Sequence, residues 1–291
     1  MWTPAFLPLM TLWNQVTIIG TGLIGGSLGL ALKQRDLAGH IVGVGHRRST
    51  LDEALFRGAA DEVTLDPCEG VRGSDLVVLG TAIGLFEGIL RKIAGVLEPG
   101  AVVIDVGSTK ARVLSTLEPL MPEGCTFVGC HPIAGSEKRG ITHARPDLFD
   151  GATCVVTPTG RTPADVLVRV VTTWQALGMV VRQVPPEVHD HLLAQTSHLP
   201  HVVASVLVRA VSEEAEPLMG PGWADTTRVA GGDAALWRDI MLSNAEEIAA
   251  AIERFHDILA AVRDAVRNSD AAAIEAHLTE AKRRRDHLTQ R

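Results

Sequence analysis

The stretch that decides the fold is Val16-Thr17-Ile18-Ile19-Gly20-Thr21-Gly22-Leu23-Ile24-Gly25. A β-branched run, read as a strand over Val16–Gly20, ends in glycines spaced G-x-G-x-x-G, and a helical stretch, Gly25–Arg35, follows. In a strand–turn–helix setting that spacing is the fingerprint of a dinucleotide-binding loop. Gly20 permits the tight turn, Gly22 lets the backbone approach a pyrophosphate, and Gly25 lets helix and strand pack closely. The helix N-terminus offers free N–H groups and a partial positive charge to the phosphates. Gly20, Thr21, Gly22, Leu23, Ile24 and Gly25 are therefore the candidate phosphate-side contacts. The bland alternative is a tight βα turn without a ligand.

Working outward, short β-branched runs read as buried parallel strands at 41–45, 76–80, 102–106, 126–130 and 153–157. Helical stretches fall between several of them, at 50–57, 85–97 and 110–120. Strands alternating with helices imply right-handed crossovers and an α/β fold, a Rossmann-type doubly wound sheet. A last strand over 179–184 closes this domain, and Pro185-Pro186 punctuates the chain. Beyond it the pattern is all-α. A long apolar helix is expected over 187–211, kinked at Pro200. A second carries Ile248, Ile252, Phe255, Leu259, Val262 and Val266 on one face, with Ser243 and Glu246 as its capping box. A helical domain this apolar is expected to bury one face against a second copy in a symmetric homodimer. The expected division is an extension or misplaced start over 1–14, a dinucleotide-binding domain over 15–184, and a helical substrate and dimerisation domain over 185–291.

The 291 residues are 46% apolar and 21% charged, with a net charge of −7. This balance excludes a disordered, coiled-coil or collagen-like chain and argues against a nucleic-acid partner. No apolar run approaches the roughly 20 residues of a membrane span. Residues 1–13 lack the basic start of a signal peptide, and four cysteines are too few for a disulfide scaffold. A cytoplasmic protein is expected.

A second signal bears on the nucleotide. An NAD site usually carries an acid about 20 residues beyond the glycines, bonded to the ribose 2′-hydroxyl. Here the second strand ends in Gly45-His46-Arg47-Arg48-Ser49-Thr50, without a carboxylate. Two arginines beside small and hydroxylic residues suit a 2′-phosphate. NADP is the preferred reading, with NAD possible. His46, Arg47, Arg48 and Ser49 are candidate contacts, as is Thr81 after the strand at 76–80. Arg47 and Arg48 read blandly as solvated surface charges.

Four further segments carry polar groups. Asp105-Val106-Gly107-Ser108-Thr109-Lys110 and His131-Pro132-Ile133-Ala134-Gly135-Ser136-Glu137 each follow a strand. Ligands of open α/β sheets bind beyond the strands' carboxyl ends, so Ser108 and His131 point toward one crevice. Ser197-His198-Leu199-Pro200-His201 lies on the kinked helix, and Asp225-Thr226-Thr227-Arg228 precedes Leu236-Trp237-Arg238-Asp239. These runs, in this order behind a dinucleotide loop, resemble the prephenate/arogenate dehydrogenase family of tyrosine biosynthesis, over nearly the whole chain.

The resemblance implies oxidative decarboxylation of a cyclohexadienol, prephenate or arogenate. His131 would be the catalytic base, assisted by Ser108 at the substrate hydroxyl. Arg228 would grip a substrate carboxylate, and His201, Ser136, Glu137, Ser197 and Trp237 would line the pocket. The residue types suit the chemistry: His titrates near neutrality, and a guanidinium grips a carboxylate in two-pronged fashion. Bland readings stand beside these: Arg228 as a helix cap or partner of Asp225, Trp237 as core. His189, His191, His198 and His201 lack the acid or cysteine set of a zinc site, so no metal is expected. Another two-domain reductase or 3-hydroxyacid dehydrogenase is the alternative. Such enzymes rely on a helix-borne lysine, and no lysine lies between Lys138 and Lys282. A non-enzymatic nucleotide sensor would need no His131, Ser108 and Arg228 together. Relatives fused to a mutase or a regulatory domain are longer, so a monofunctional enzyme is expected. Prephenate is favoured slightly over arogenate.

Overall fold

The computed structural model describes residues 11–135 and 138–289. The strands are β1 (Trp13–Ile19), β2 (Ala38–Val44), β3 (Glu62–Thr64), β4 (Leu76–Leu79), β5 (Val102–Asp105), β6 (Thr126–Ile133), β7 (Thr153–Thr157) and β8 (Val180–Gln183). They form one eight-stranded sheet in the order β3-β2-β1-β4-β5-β6-β7-β8. Pairing is parallel from β3 across to β6. The order reverses between β1 and β4, which opens a crevice at the carboxyl ends of the strands.

Alternate strand residues feed two apolar cores. Val16, Ile18, Val78, Ile104 and Val128 pack on one face with α1 (Leu23–Gln34). Ile19, Val77, Leu79, Val103 and Phe127 pack on the other with α4 (Phe86–Ile93) and α5 (Ala111–Leu117). Burial on both faces is why these strands read as unbroken apolar runs. Two shorter helices, α2 (Arg48–Phe56) and α3 (Pro67–Gly70), flank β3.

The sheet departs from the sequence reading in three ways. The 153–157 strand, expected to be parallel, pairs antiparallel to β6. The described part of its connection holds only a short 3-10 turn, Ile141–His143, so the chain returns without a crossover helix. β3 is too short to show a period. β1 begins at Trp13, which sequence grouped with the extension. Its ring is buried, its Nε1 donates to Thr173 Oγ1 at 2.9 Å, and the Arg169 guanidinium lies 3.5 Å over it.

After α6 (Ala164–Ala176) and β8 the chain is helical: α7 (Pro186–Leu193), α8 (Leu199–Ala210), α9 (Pro221–Thr227), α10 (Ala234–Ser243), α11 (Ala245–Arg267) and α12 (Ala271–Thr289). The single kinked helix expected over 187–211 is two helices joined by a π-helical turn, Ala194–His198. The turn precedes Pro200, whose ring cannot pack against a regular preceding turn and which donates no N–H. The expected capping box is also absent. Asn244 occupies the cap of α11 without a side-chain bond to that helix. Ser243 ends α10, and its hydroxyl meets Thr109 Oγ1 at 2.8 Å. Of the apolar face of α11, Ile248 is buried, whereas Phe255, Leu259 and Val266 are exposed. Among the described residues, no helix is long and apolar enough to cross a membrane.

Candidate active site

The glycine loop meets the requirements of a pyrophosphate cradle. Gly20 sits at φ +107°, and a Cβ there would lie 2.6 Å from the Gly80 carbonyl, so this loop and the loop after β4 touch. A Cβ on Gly25 would lie 2.0 Å from the Gly20 oxygen, whereas one on Gly22 would meet nothing within 4 Å. The close packing lies behind the loop and open space lies in front. Gly22 caps α1 without a side-chain bond, leaving the first N–H groups to a ligand. Thr21 Oγ1 is buried and has no hydrogen-bond partner among the described residues. Thr81 is half-buried beside Gly80. A dinucleotide fits these residues.

At the end of β2, His46, Arg47, Arg48 and Ser49 are all exposed. The two arginines are not equivalent. Arg48 Nε donates to Asp52 Oδ1 at 2.9 Å, whereas Arg47 makes no ion pair among the described residues.

The sequence reading ended β6 at Cys130, which would put His131 in a loop. The strand instead continues through Ile133, with His131 opposite Val155 of β7. Pro132 is tolerated because β5 pairs only as far as Val128, which leaves an open edge needing no donor. His131 lies three residues beyond the last residue paired to β5, and Ser108 lies three residues beyond the end of β5. Ser108 is half-buried and makes no hydrogen bond among the described residues, so it does not orient the imidazole here.

That task falls to residues that sequence reasoning passed over. His131 is buried, and its Nδ1 lies 2.9 Å from His189 Nε2. His189 Nδ1 lies 2.7 Å from Asp190 Oδ1. The Asp190 carboxylate also accepts from the backbone N–H groups of Lys110, at 2.8 Å, and Ala111, at 2.9 Å. A carboxylate in this setting only accepts. His189 must therefore donate from Nδ1 and accept on Nε2, and His131 must donate from Nδ1. The lone pair of His131 is left on Nε2. Burial, reinforced by the neighbouring His189, Lys110 and His198, holds the His131 imidazole well below its ordinary range, so it stays neutral.

A similar argument fixes His198. Asn244 Nδ2 donates to the Asp190 carbonyl at 2.9 Å and to His198 Nδ1 at 3.2 Å. His198 therefore carries its proton on Nε2, which is buried without a partner. Burial takes its pKa down to about 4. The sequence weighed His189 only as a metal ligand, and His198 as a metal ligand and as part of the 197–201 run. A usable signal was the His189-Asp190 pair just past the Pro-Pro boundary. The described residues hold no group of three His, Cys, Asp or Glu able to bind a metal.

His201 is buried on α8, and its ring stacks on Trp237 with centroids 3.5 Å apart and planes 9° apart. Trp237 is half-buried on α10, so it is not part of the buried core. His201 Nδ1 is buried without a partner. Ser197 is half-buried in the π-turn, and Arg228 is exposed in the 3-10 turn Arg228–Gly231, which packs against α8. Ser136 and Glu137 lie outside the described residues.

A doubly wound sheet with a dinucleotide cradle, and a neutral imidazole held at the seam with a helical domain, defines a dinucleotide-dependent oxidoreductase. The family model for the prephenate dehydrogenase nucleotide-binding domain matches residues 28–183, and that for its dimerization domain matches 185–280. A cyclohexadienyl dehydrogenase of Zymomonas mobilis is 32% identical over 283 residues, covering 95% of this chain and 96% of the relative. The crystal structure of Aquifex aeolicus prephenate dehydrogenase with hydroxyphenyl propionate and NAD+ superposes with a TM-score of 0.88 at 32% identity, covering 94% of this chain and 98% of that one. Synechocystis arogenate dehydrogenase gives a TM-score of 0.81 at 28% identity, covering 94% and 99%. The chain belongs to the prephenate dehydrogenase family.

Proposed function

We propose that this enzyme oxidatively decarboxylates prephenate, arogenate or both, with His131 as the base and NADP as the preferred dinucleotide. The observation that carries the reading is the Asp190–His189–His131 chain, which presents a neutral Nε2 lone pair at the seam of the two domains. His131 takes the proton of the substrate's ring hydroxyl. The nicotinamide, when bound, supplies the acceptor for the hydrogen on the carbinol carbon. Loss of the ring carboxylate as carbon dioxide then aromatises the ring and makes the step irreversible. Ser108, on the turn after β5, serves the substrate hydroxyl. Arg228 pairs with a substrate carboxylate, and His201, Ser197 and Trp237 wall the pocket, with Ser136 and Glu137 completing it.

The preference for NADP rests on Arg47, which pairs with no carboxylate among the described residues, and on the lack of an acid at the end of β2. The exposed apolar face of α11 and the match to a dimerization domain support a homodimer. With four free cysteines the chain suits the cytoplasm.

The test is a matrix of NAD or NADP against prephenate or arogenate, following reduced nicotinamide. Turnover of at least one substrate, faster with NADP, is expected. No turnover in any of the four combinations overturns the reaction, and a strong preference for NAD overturns the role given to Arg47.

A further inference from the structure

One buried ion pair in the site is left unused by this mechanism. Lys110 and Asp105 both have fully buried side chains, and the Lys110 ammonium contacts Asp105 Oδ2. Isolated buried charges are costly, so such a pair persists only where further hydrogen bonds complete it. Asp105 has those bonds: it accepts from Gly107 N at 2.8 Å and from Cys130 N at 3.2 Å. Cys130 is the residue before His131. The Lys110 stem is seated with equal care. A Cβ on Gly129 would lie 2.4 Å from Thr157 Oγ1, 2.9 Å from Leu114 Cδ1 and 3.1 Å from Lys110 Cδ, so the stem is one of three close neighbours of β6 at that glycine. The other end of the residue faces the helical domain, where the Lys110 backbone N–H holds Asp190 behind His189.

We propose that Lys110 is the positioning residue for His131, joining both of its supports: the side chain clamps Asp105 beneath Cys130, and the backbone clamps Asp190 behind His189. The inference rests on His131 being the base. The charged and titratable groups around His131 are Lys110, Asp105, His189 and Asp190, His198 on the π-turn, and the thiols of Cys130 and Cys154 on β6 and β7. Within that set the pair contributes no net charge. Removing Lys110 takes a positive charge away from beside the imidazole, and removing the Asp105 carboxylate leaves that charge without its counter-charge.

This gives a signature that loss of packing alone does not produce. In Lys110→Met, His131 gains protons more readily, so the acidic limb of kcat/KM moves to higher pH. In Asp105→Asn the limb moves to lower pH, and in the double variant it returns toward that of the unaltered enzyme. In both single variants kcat falls at least about tenfold, while the Kd for NADP, measured by fluorescence, stays within about twofold. Asp105→Asn keeps the test open should Lys110→Met fail to fold. The His131 titration is read independently by NMR on 15N-histidine-labelled enzyme. An unmoved His131 titration, or one moving the same way in both single variants, overturns the positioning role. A His131 titration that shifts as stated while the kinetic limb stays fixed overturns instead the assignment of His131 as the base.

Discussion

His131 Nδ1 and His189 Nε2 lie 2.9 Å apart, and because His189 is itself fixed by Asp190, the direction of that hydrogen bond is determined. The His131 imidazole is thus oriented across the domain boundary, β6 supplying the ring and α7 its support. His189→Asn is expected to lower kcat by about 10²-fold or more with little change in KM or in NADP affinity. His131→Asn should be at least as severe. Steady-state kinetics with nucleotide titrations checks this, and a His189→Asn enzyme with unaltered kcat would remove His189 from the mechanism.

Arg47 and Arg48 are neighbours in sequence with different commitments. Arg47→Ala should raise KM for NADP about tenfold, the size of a lost charge-assisted contact, and leave KM for NAD nearly unchanged. Arg48→Ala should do less, because Asp52 already holds that guanidinium. Equal effects on both nucleotides from Arg47→Ala would contradict a 2′-phosphate contact.

Gly25→Ala tests the loop. The added methyl would lie 2.0 Å from backbone oxygen, so α1 must shift away from β1. Dinucleotide binding should fall more than tenfold and the unfolding temperature should drop. Calorimetry reads both, and a variant with normal affinity would count against the cradle.

The buried histidines make stability depend on pH. In the unfolded chain His198 takes up its proton near pH 6.5, whereas in the folded protein it resists until about 4. Between those values the unfolded state binds more protons, so stability rises with pH. The contribution is complete above about pH 6.5 and is lost as pH falls toward 4, to a limit of about 3 kcal/mol for this group. His131 and His189, whose pKa values burial also lowers, act in the same direction. Denaturant unfolding across this range should show a shallower pH dependence for His198→Gln than for the unaltered protein.

The uncovered face of α11 predicts the last outcome. Phe255→Glu with Leu259→Glu should shift the protein from dimer to monomer in sedimentation, since charge on a buried apolar interface is strongly unfavourable. A variant that still sediments as the unaltered protein would move the interface elsewhere.

The sequence by itself determined most of the parallel strands and the glycine loop that follows the first of them. Both are local: apolar runs report burial on two faces, and the spacing of Gly20, Gly22 and Gly25 is a requirement of one turn. It also singled out His131, Arg228 and His201 through short runs of neighbouring residues. What only the tertiary structure decided is the set of groups that bear on the imidazole. His189, Asp190 and Asn244 come from the helical domain, and Lys110 and Asp105 from the end of β5. None is close to His131 along the chain, and no periodicity marks them. Ser108 shows the converse: it follows a strand end as His131 does, yet among the described residues the imidazole's hydrogen bond is to His189. Chain neighbours set which elements form, but hydrogen-bond partners are set by which elements pack together. That is why His131 was legible in the sequence while the groups that hold it were not.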